Sequence, residues 1–171
     1  MNLSETGYSF IKWFEGYYST AYKCPKGKLT IGWGTITYPD GSPVRECDTC
    51  NQSQAMKWLA YDVRETEVAI MPLIKVPLSQ NKFDSLVSFA YNEGANALAT
   101  STLLKVINSK GEIYEDLFVR WNKITVDHDG KDNDGDGVID EPGEKKPLTG
   151  LTNRRKSEFW LYKYNEFKVF K

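Results

Sequence analysis

The sequence predicts an α+β fold, with a small β-containing N-terminal lobe over about residues 14–50 and a larger helical lobe over about 51–171. Two observations carry this. Residues 17–38 are rich in Tyr, Thr, Ile and Trp and are punctuated by Pro25, Gly27, Gly32 and Gly34, the pattern of short antiparallel strands joined by turns. From residue 51 onward the apolar positions recur at helical spacing instead. The 171 residues are 40% apolar and 13% aromatic, enough for a single domain with a substantial core.

Taken in order, Ser4 is a candidate N-cap for a first helix carrying Tyr8, Ile11 and Phe14, and Gly16 is its stop. The strand region follows, and Asp40-Gly41 marks a further turn. A long helix is expected from Asn51 or Ser53 to Met71, ended by Pro72, with Met56, Leu59, Ala60, Val63, Ala69 and Ile70 at its apolar positions. Ser79 should cap the next helix, with Phe83, Leu86, Val87 and Ala90 on one face. Further helices are expected over 101–108, over 113–122 and from about Leu151 or Thr152 onward. Residues 127–147 show no apolar periodicity and read as an acidic insertion loop.

Charge excludes some functions. With 22 basic and 23 acidic residues the formal charge is -1, so no global field draws the chain to nucleic acid or to an anionic membrane. The stretch from Lys145 to the C-terminus is basic, with Arg154, Arg155 and Lys156 together. It is either a patch that meets an acidic polymer or a solvated helix face. No apolar run approaches the roughly 18 residues of a membrane span, and MNLSETGYSFIKWFEG lacks the pattern of a signal peptide. The expectation is a monomer made in a cytoplasm, without membrane insertion.

The three cysteines are Cys24, Cys47 and Cys50, an odd number that argues against a disulfide framework. Cys47-x-x-Cys50 has the spacing of a redox or zinc half-site, but no second pair follows and His128 is the only histidine. A strained disulfide or two free thiols are the remaining readings.

The segment FEGYYSTAYKCPKGKLTIGWGT, residues 14–35, carries the chemistry. It places Glu15 at the C-terminal end of a helix, where the negative end of the dipole and the neighbouring Trp13, Phe14, Tyr17 and Tyr18 disfavour an ionised carboxylate. A carboxyl that keeps its proton near neutral pH is what a general acid requires. The spacing of Glu15, Cys24 and Thr30, with Glu15-Gly16, Ala21-Tyr22 and the run from Thr30 to Thr35, resembles the active-site signature of the phage-type lysozymes, glycoside hydrolase family 24. Residues 78–104, with Tyr91-Asn92-Glu93-Gly94, resemble the family's central helical stretch. RWNK at 120–123 and LTGLTNRRKSE at 148–158 resemble its C-terminal part.

That resemblance implies a lysozyme-like fold, with a cleft between two lobes joined by a long helix. It also implies hydrolysis of the bond between N-acetylmuramic acid and N-acetylglucosamine in peptidoglycan. Glu15 would be the acid, and Cys24 and Thr30 would hold the attacking water on the opposite face, as in an inverting enzyme. Many members carry Asp at the position of Cys24; a thiol accepts a proton only as thiolate, and its ordinary pKa is about 8.5. The other reading of Cys24 is a packing residue. A non-catalytic wall-binding module and a chitin-type glycosidase are the rival functions. The lysozyme reading implies dependence on a separate membrane-pore protein to reach the wall.

The insertion reads DHDGKDNDGDGVIDEPGE over residues 127–144. Alternating Asp132, Asp134 and Asp136, then Gly137, Asp140 and Glu141, offer hard oxygen ligands at a density that suits Ca²⁺. The pattern resembles a thrombospondin-type or dockerin-like calcium loop more than an EF-hand, because the twelfth position from Asp132 is Gly143 rather than Glu. Without a cation these carboxylates repel one another. A structural Ca²⁺ is expected, with no cofactor needed for the chemistry.

Overall fold

A computed structural model describes residues 1–24, 27–126, 131 and 145–171. Its first helix, α1 (Glu5–Glu15), starts where the Ser4 hydroxyl accepts the Gly7 N–H at 3.2 Å, and stops at Gly16, whose φ of 68° few other residues adopt. Strands β1 (Tyr18–Lys23) and β2 (Leu29–Gly32) then pair antiparallel, with a bulge between Tyr18 and Tyr22. An irregular stretch held by short bridges, Thr37 to Pro43 and Thr20 to Thr49, completes this lobe.

Helix α2 (Gln52–Ile70) leaves the β lobe through a capping box between Asn51 and Gln54. It buries Ala55, Leu59, Val63, Glu67 and Ile70, while Ala69 is exposed. A carboxylate at a core position is tolerated because Glu67 accepts the Leu3 N–H and pairs with Arg64 at 3.2 Å. A single 3-10 turn, Met71–Leu73, contains Pro72 and ends the helix.

Helix α3 (Gln80–Glu93) is the axis of the helical lobe, packed by α1, α2, α4 (Ala95–Thr100) and α7 (Thr149–Tyr164). The sequence suggested one apolar face, but every residue from Phe83 to Ala90 is buried. The polar ones are satisfied from neighbouring elements: Asp84 by the Ser4 N–H and hydroxyl, and Ser85 by the Glu158 carbonyl at 2.7 Å. Helix α4 was not anticipated. Helix α5 (Thr102–Asn108) is capped by Ser101, and the helix expected over 113–122 is only the short α6 (Asp116–Val119). The chain there turns into a second hairpin, β3 (Lys123–Thr125) against β4 (Lys145–Pro147), so part of the expected loop is strand.

The apolar side chains form two clusters. The large one, from Leu3 to Tyr162, belongs to the helical lobe; the small one gathers Ile31, Val44, Cys50 and Ala55 beneath the β lobe. None of the three cysteines forms a disulfide among the described residues, Cys47 is exposed and Cys50 buried, and no group of metal-ligating side chains occurs among the described residues. The expected calcium ligands Asp132, Asp134, Asp136, Asp140 and Glu141 lie outside the described residues. No helix among the described residues is long and apolar enough to cross a membrane.

Candidate active site

Glu15 is the last residue of α1, and the backbone turn at Gly16 leaves its carboxyl facing the helical lobe. Arg154 of α7 reaches it, Nη1 to Oε1, at 2.6 Å. The same guanidinium donates from Nε to Glu158 Oε1 at 3.2 Å and from Nη2 to the Ser88 carbonyl at 3.4 Å, and lies 5.5 Å from the Phe14 ring. Arg155 is also buried; it donates to Asn92 Oδ1 at 2.7 Å and stacks 4.9 Å from the Phe89 ring. Its Nε sits 3.1 Å from Glu158 Oε2, a charge contact whose N–H is not aimed for a hydrogen bond. Burial pushes the Glu158 carboxyl up, opposed by the Arg155 and Arg154 charges and the Ser88 hydroxyl.

This corrects the reading of the basic C-terminal stretch. Arg154 and Arg155 are 4% and 0% exposed, so they form neither a surface patch nor a solvated helix face. They are the interior cations that tie α7, α3 and the end of α1 together. The electrostatic reading of Glu15 from its helix end and aromatic neighbours also left out a positive charge delivered from 139 residues away.

The opposite wall is the tight loop after β2. Ile31 and Thr35 exchange backbone hydrogen bonds of 2.9 and 3.0 Å, folding Gly32, Trp33 and Gly34 into a hook. The Tyr91 hydroxyl of α3 donates to the Trp33 carbonyl at 2.9 Å and holds the hook against the helical lobe. Gly34 has φ 97°, and a Cβ there would lie 3.2 Å from Glu15 Oε2 and 3.4 Å from the Tyr91 hydroxyl. Only glycine fits both that conformation and that space. Burial first, and then the Glu15 and Asp62 charges, push the Tyr91 phenol well up, with Arg154 opposing.

Cys24 lies just past β1, its N–H donating to the Lys28 carbonyl at 2.9 Å, and is partly exposed. Thr30, on β2, is buried and donates its hydroxyl to the Lys28 carbonyl at 3.2 Å. The Tyr22 phenol, pushed up by burial and then by Tyr18, Glu15 and Cys24, stands within electrostatic reach of both the acid and the thiol. Tyr22 thus links the three sequence-predicted residues: Glu15 and Cys24 act on its phenol, and its backbone pairs with Thr30.

Two further groups were not singled out as site residues. Arg154 was visible in sequence only as half of a basic pair. Asp62, on α2, accepts the Thr35 hydroxyl at 2.9 Å, and burial raises its carboxyl to about 6, with Thr35 opposing and Glu65 adding to the shift. Nothing in the helical periodicity of α2 distinguishes it from a solvated position.

The phage lysozyme family model matches residues 12–158. The chain is 42% identical over 171 residues to an endolysin of Bacillus phage B103, covering 98% of this chain and 56% of that protein's length. It is 34% identical to an endolysin of Acyrthosiphon pisum secondary endosymbiont phage 1, covering 95% of this chain and 98% of the relative. Among solved structures, an endolysin from Escherichia coli O157:H7 phage FAHEc1 superposes with a TM-score of 0.85 at 36% identity, covering 98% of this chain and 97% of that one. With the two-lobed architecture and the glutamate at the end of α1, these matches establish that the chain belongs to the phage lysozyme family.

Proposed function

We propose that the protein is a muramidase that cleaves the β-1,4 bond between N-acetylmuramic acid and N-acetylglucosamine in peptidoglycan, with Glu15 as general acid. The supporting observation is the division of labour between the two oxygens of Glu15. Oε1 is held by Arg154 at 2.6 Å, while Oε2 faces Gly34 and the cleft. The proton that reaches the glycosidic oxygen is carried on Oε2. As the C–O bond breaks, water adds to the anomeric carbon from the opposite face, and the leaving oxygen keeps the proton from Glu15. Cys24 and Thr30 position that water: the Thr30 hydroxyl proton is spent on the Lys28 carbonyl, so its oxygen is left to accept. Cys24 as thiolate takes the water's proton.

The test is Glu15→Gln in a turbidity assay on permeabilised cells. Lysis should fall by roughly a hundredfold to ten-thousandfold, with the melting temperature little changed. Lysis near the native rate would remove Glu15 from the role. Mass spectrometry of the products, ending in reducing N-acetylmuramic acid, identifies the bond.

The calcium reading belongs here too. Its support is the D-x-D-x-D-G-x-x-D-E run and the β3–β4 pairing, which sets Thr125 opposite Lys145 and returns the insertion to its starting point. Asp132, Asp134, Asp136, Asp140 and Glu141 would hold an ion that orders the insertion, with no part in the chemistry. Delivery to the wall through a pore made by another protein is likewise part of the reading.

A further inference from the structure

Among the described residues, the carboxyls set into the core each meet an arginine or three donors, and Asp62 is the exception. Glu158 faces two arginines and Ser88; Glu67 takes the Leu3 N–H and Arg64; Asp84 takes Ser4 twice and Gln80; Glu15 takes Arg154. Asp62 receives one hydroxyl, from Thr35 to Oδ2, and no lysine or arginine pairs with it among the described residues.

Asp62 opens into a concavity of about 220 Å³ lined by Gly34, Ile36, Thr37, Glu65 and Tyr91. Gly34 and Tyr91 also border Glu15, so this concavity adjoins the catalytic acid. Its walls combine an exposed aliphatic side chain, Ile36, with carboxylate acceptors and no described cation. Such a lining suits a neutral ligand rich in N–H and O–H donors that also bears a methyl group, which is the chemistry of an acetamido sugar.

We infer that Asp62 is a substrate-binding residue, whose open Oδ1 accepts an acetamide N–H or hydroxyl of a sugar unit next to the scissile bond. This rests on the muramidase reading above and assigns the α2 side of its cleft. A half-buried carboxyl without a cation is a cost to the folded protein. A ligand donor offsets that cost, so the site is completed by substrate rather than by the fold.

The experiment measures kcat and KM on glycan strands stripped of their stem peptides, together with the melting temperature at pH 7.5. Asp62→Asn should raise KM roughly tenfold, as expected for losing a hydrogen bond to a charged acceptor, with kcat nearly unchanged and the melting temperature equal or higher. Thr35→Val, which removes only the internal donor, should leave KM near the parent value. An unchanged KM in Asp62→Asn overturns the inference. So does an equal rise in KM for the two variants, because Asp62 would then only anchor the loop. A KM effect seen on peptide-bearing wall but absent on bare glycan overturns it as well, since the contact would be to a peptide amine. Retained kcat in Asp62→Asn, with its loss in Glu15→Gln, keeps this inference separate from the acid assignment.

Discussion

Glu158 and Asp62 are both carboxyls taken out of water near the same cleft, yet their surroundings differ completely. Glu158, wholly buried between α3 and α7, meets Arg154, Arg155 and Ser88. Asp62, on the α2 side, meets one threonine hydroxyl. The first is an interior charge whose partners are all supplied by the fold, and those partners fix the position of Glu15. The second is left half satisfied at the edge of a concavity. The apolar cores differ in the same sense, with a large cluster behind the acid and a small one beneath the hairpin that carries Cys24 and Thr30. Support is concentrated around Glu15, the proposed proton donor, and the thinner lobe carries Cys24 and Thr30, the residues proposed to meet the water.

The most severe way to break the comparison is to unpair the buried side. Arg154→Ala strands Glu158 in the interior and releases Glu15, so it should cost about 3–5 kcal/mol, read as a lower urea midpoint, and should abolish lysis. Stability close to the parent's would mean that the network is not what holds α7 to α3.

On the thinner side, an active-site change should leave the fold alone. Cys24→Ala is expected to lower the lysis rate by about a hundredfold, while Cys24→Asp retains activity, with thermal melts of both near the parent's. An alanine variant as active as the parent would make Cys24 a packing residue.

The proposed calcium site extends the comparison to the carboxylates of the acidic insertion. Calcium at a hundred times its dissociation constant should stabilise the protein by about 2.7 kcal/mol, and Asp134→Ala should remove the rise in melting temperature. A parent protein whose melting temperature ignores both calcium and chelator would refute the site.

The smallest effect tests Asp62 itself. Its folded-state carboxyl is raised to about 6 from 3.8, so the folded protein holds the proton where the unfolded chain has lost it. Stability is therefore fully present below about pH 4 and is lost as pH rises through 6. Two units would be worth about 3 kcal/mol, and partial exposure reduces this to about 1–2 kcal/mol. Asp62→Asn should accordingly be more stable than the parent above pH 6 and equal to it near pH 4. Urea titrations at the two pH values check the sign, and a less stable variant at pH 7.5 would make Asp62 a stabilising residue.

Much of this molecule is legible without coordinates. Ser4, Asn51 and Gly16 mark helix ends because capping is a local interaction, and the Tyr- and Gly-rich segment after Gly16 announces strands for the same reason. The Glu15, Cys24 and Thr30 spacing is likewise contained within sixteen residues. Local signals also misled where packing prevailed. Helix α3 is buried all round because it is the axis of its lobe, and the helix expected over 113–122 shrinks to four residues before the β3–β4 hairpin.

The sequence by itself determined the two-lobed α+β layout, the family signature and the place of Glu15 at a helix end, since these depend on neighbours a few residues apart. Only the tertiary structure decided which charges are interior. Arg154 meets Glu15 across 139 residues, Glu158 meets Ser88 across 70, and Thr35 meets Asp62 across 27. Whether a charged side chain is solvated, paired or left for a ligand depends on what folds over it, and no local pattern encodes that.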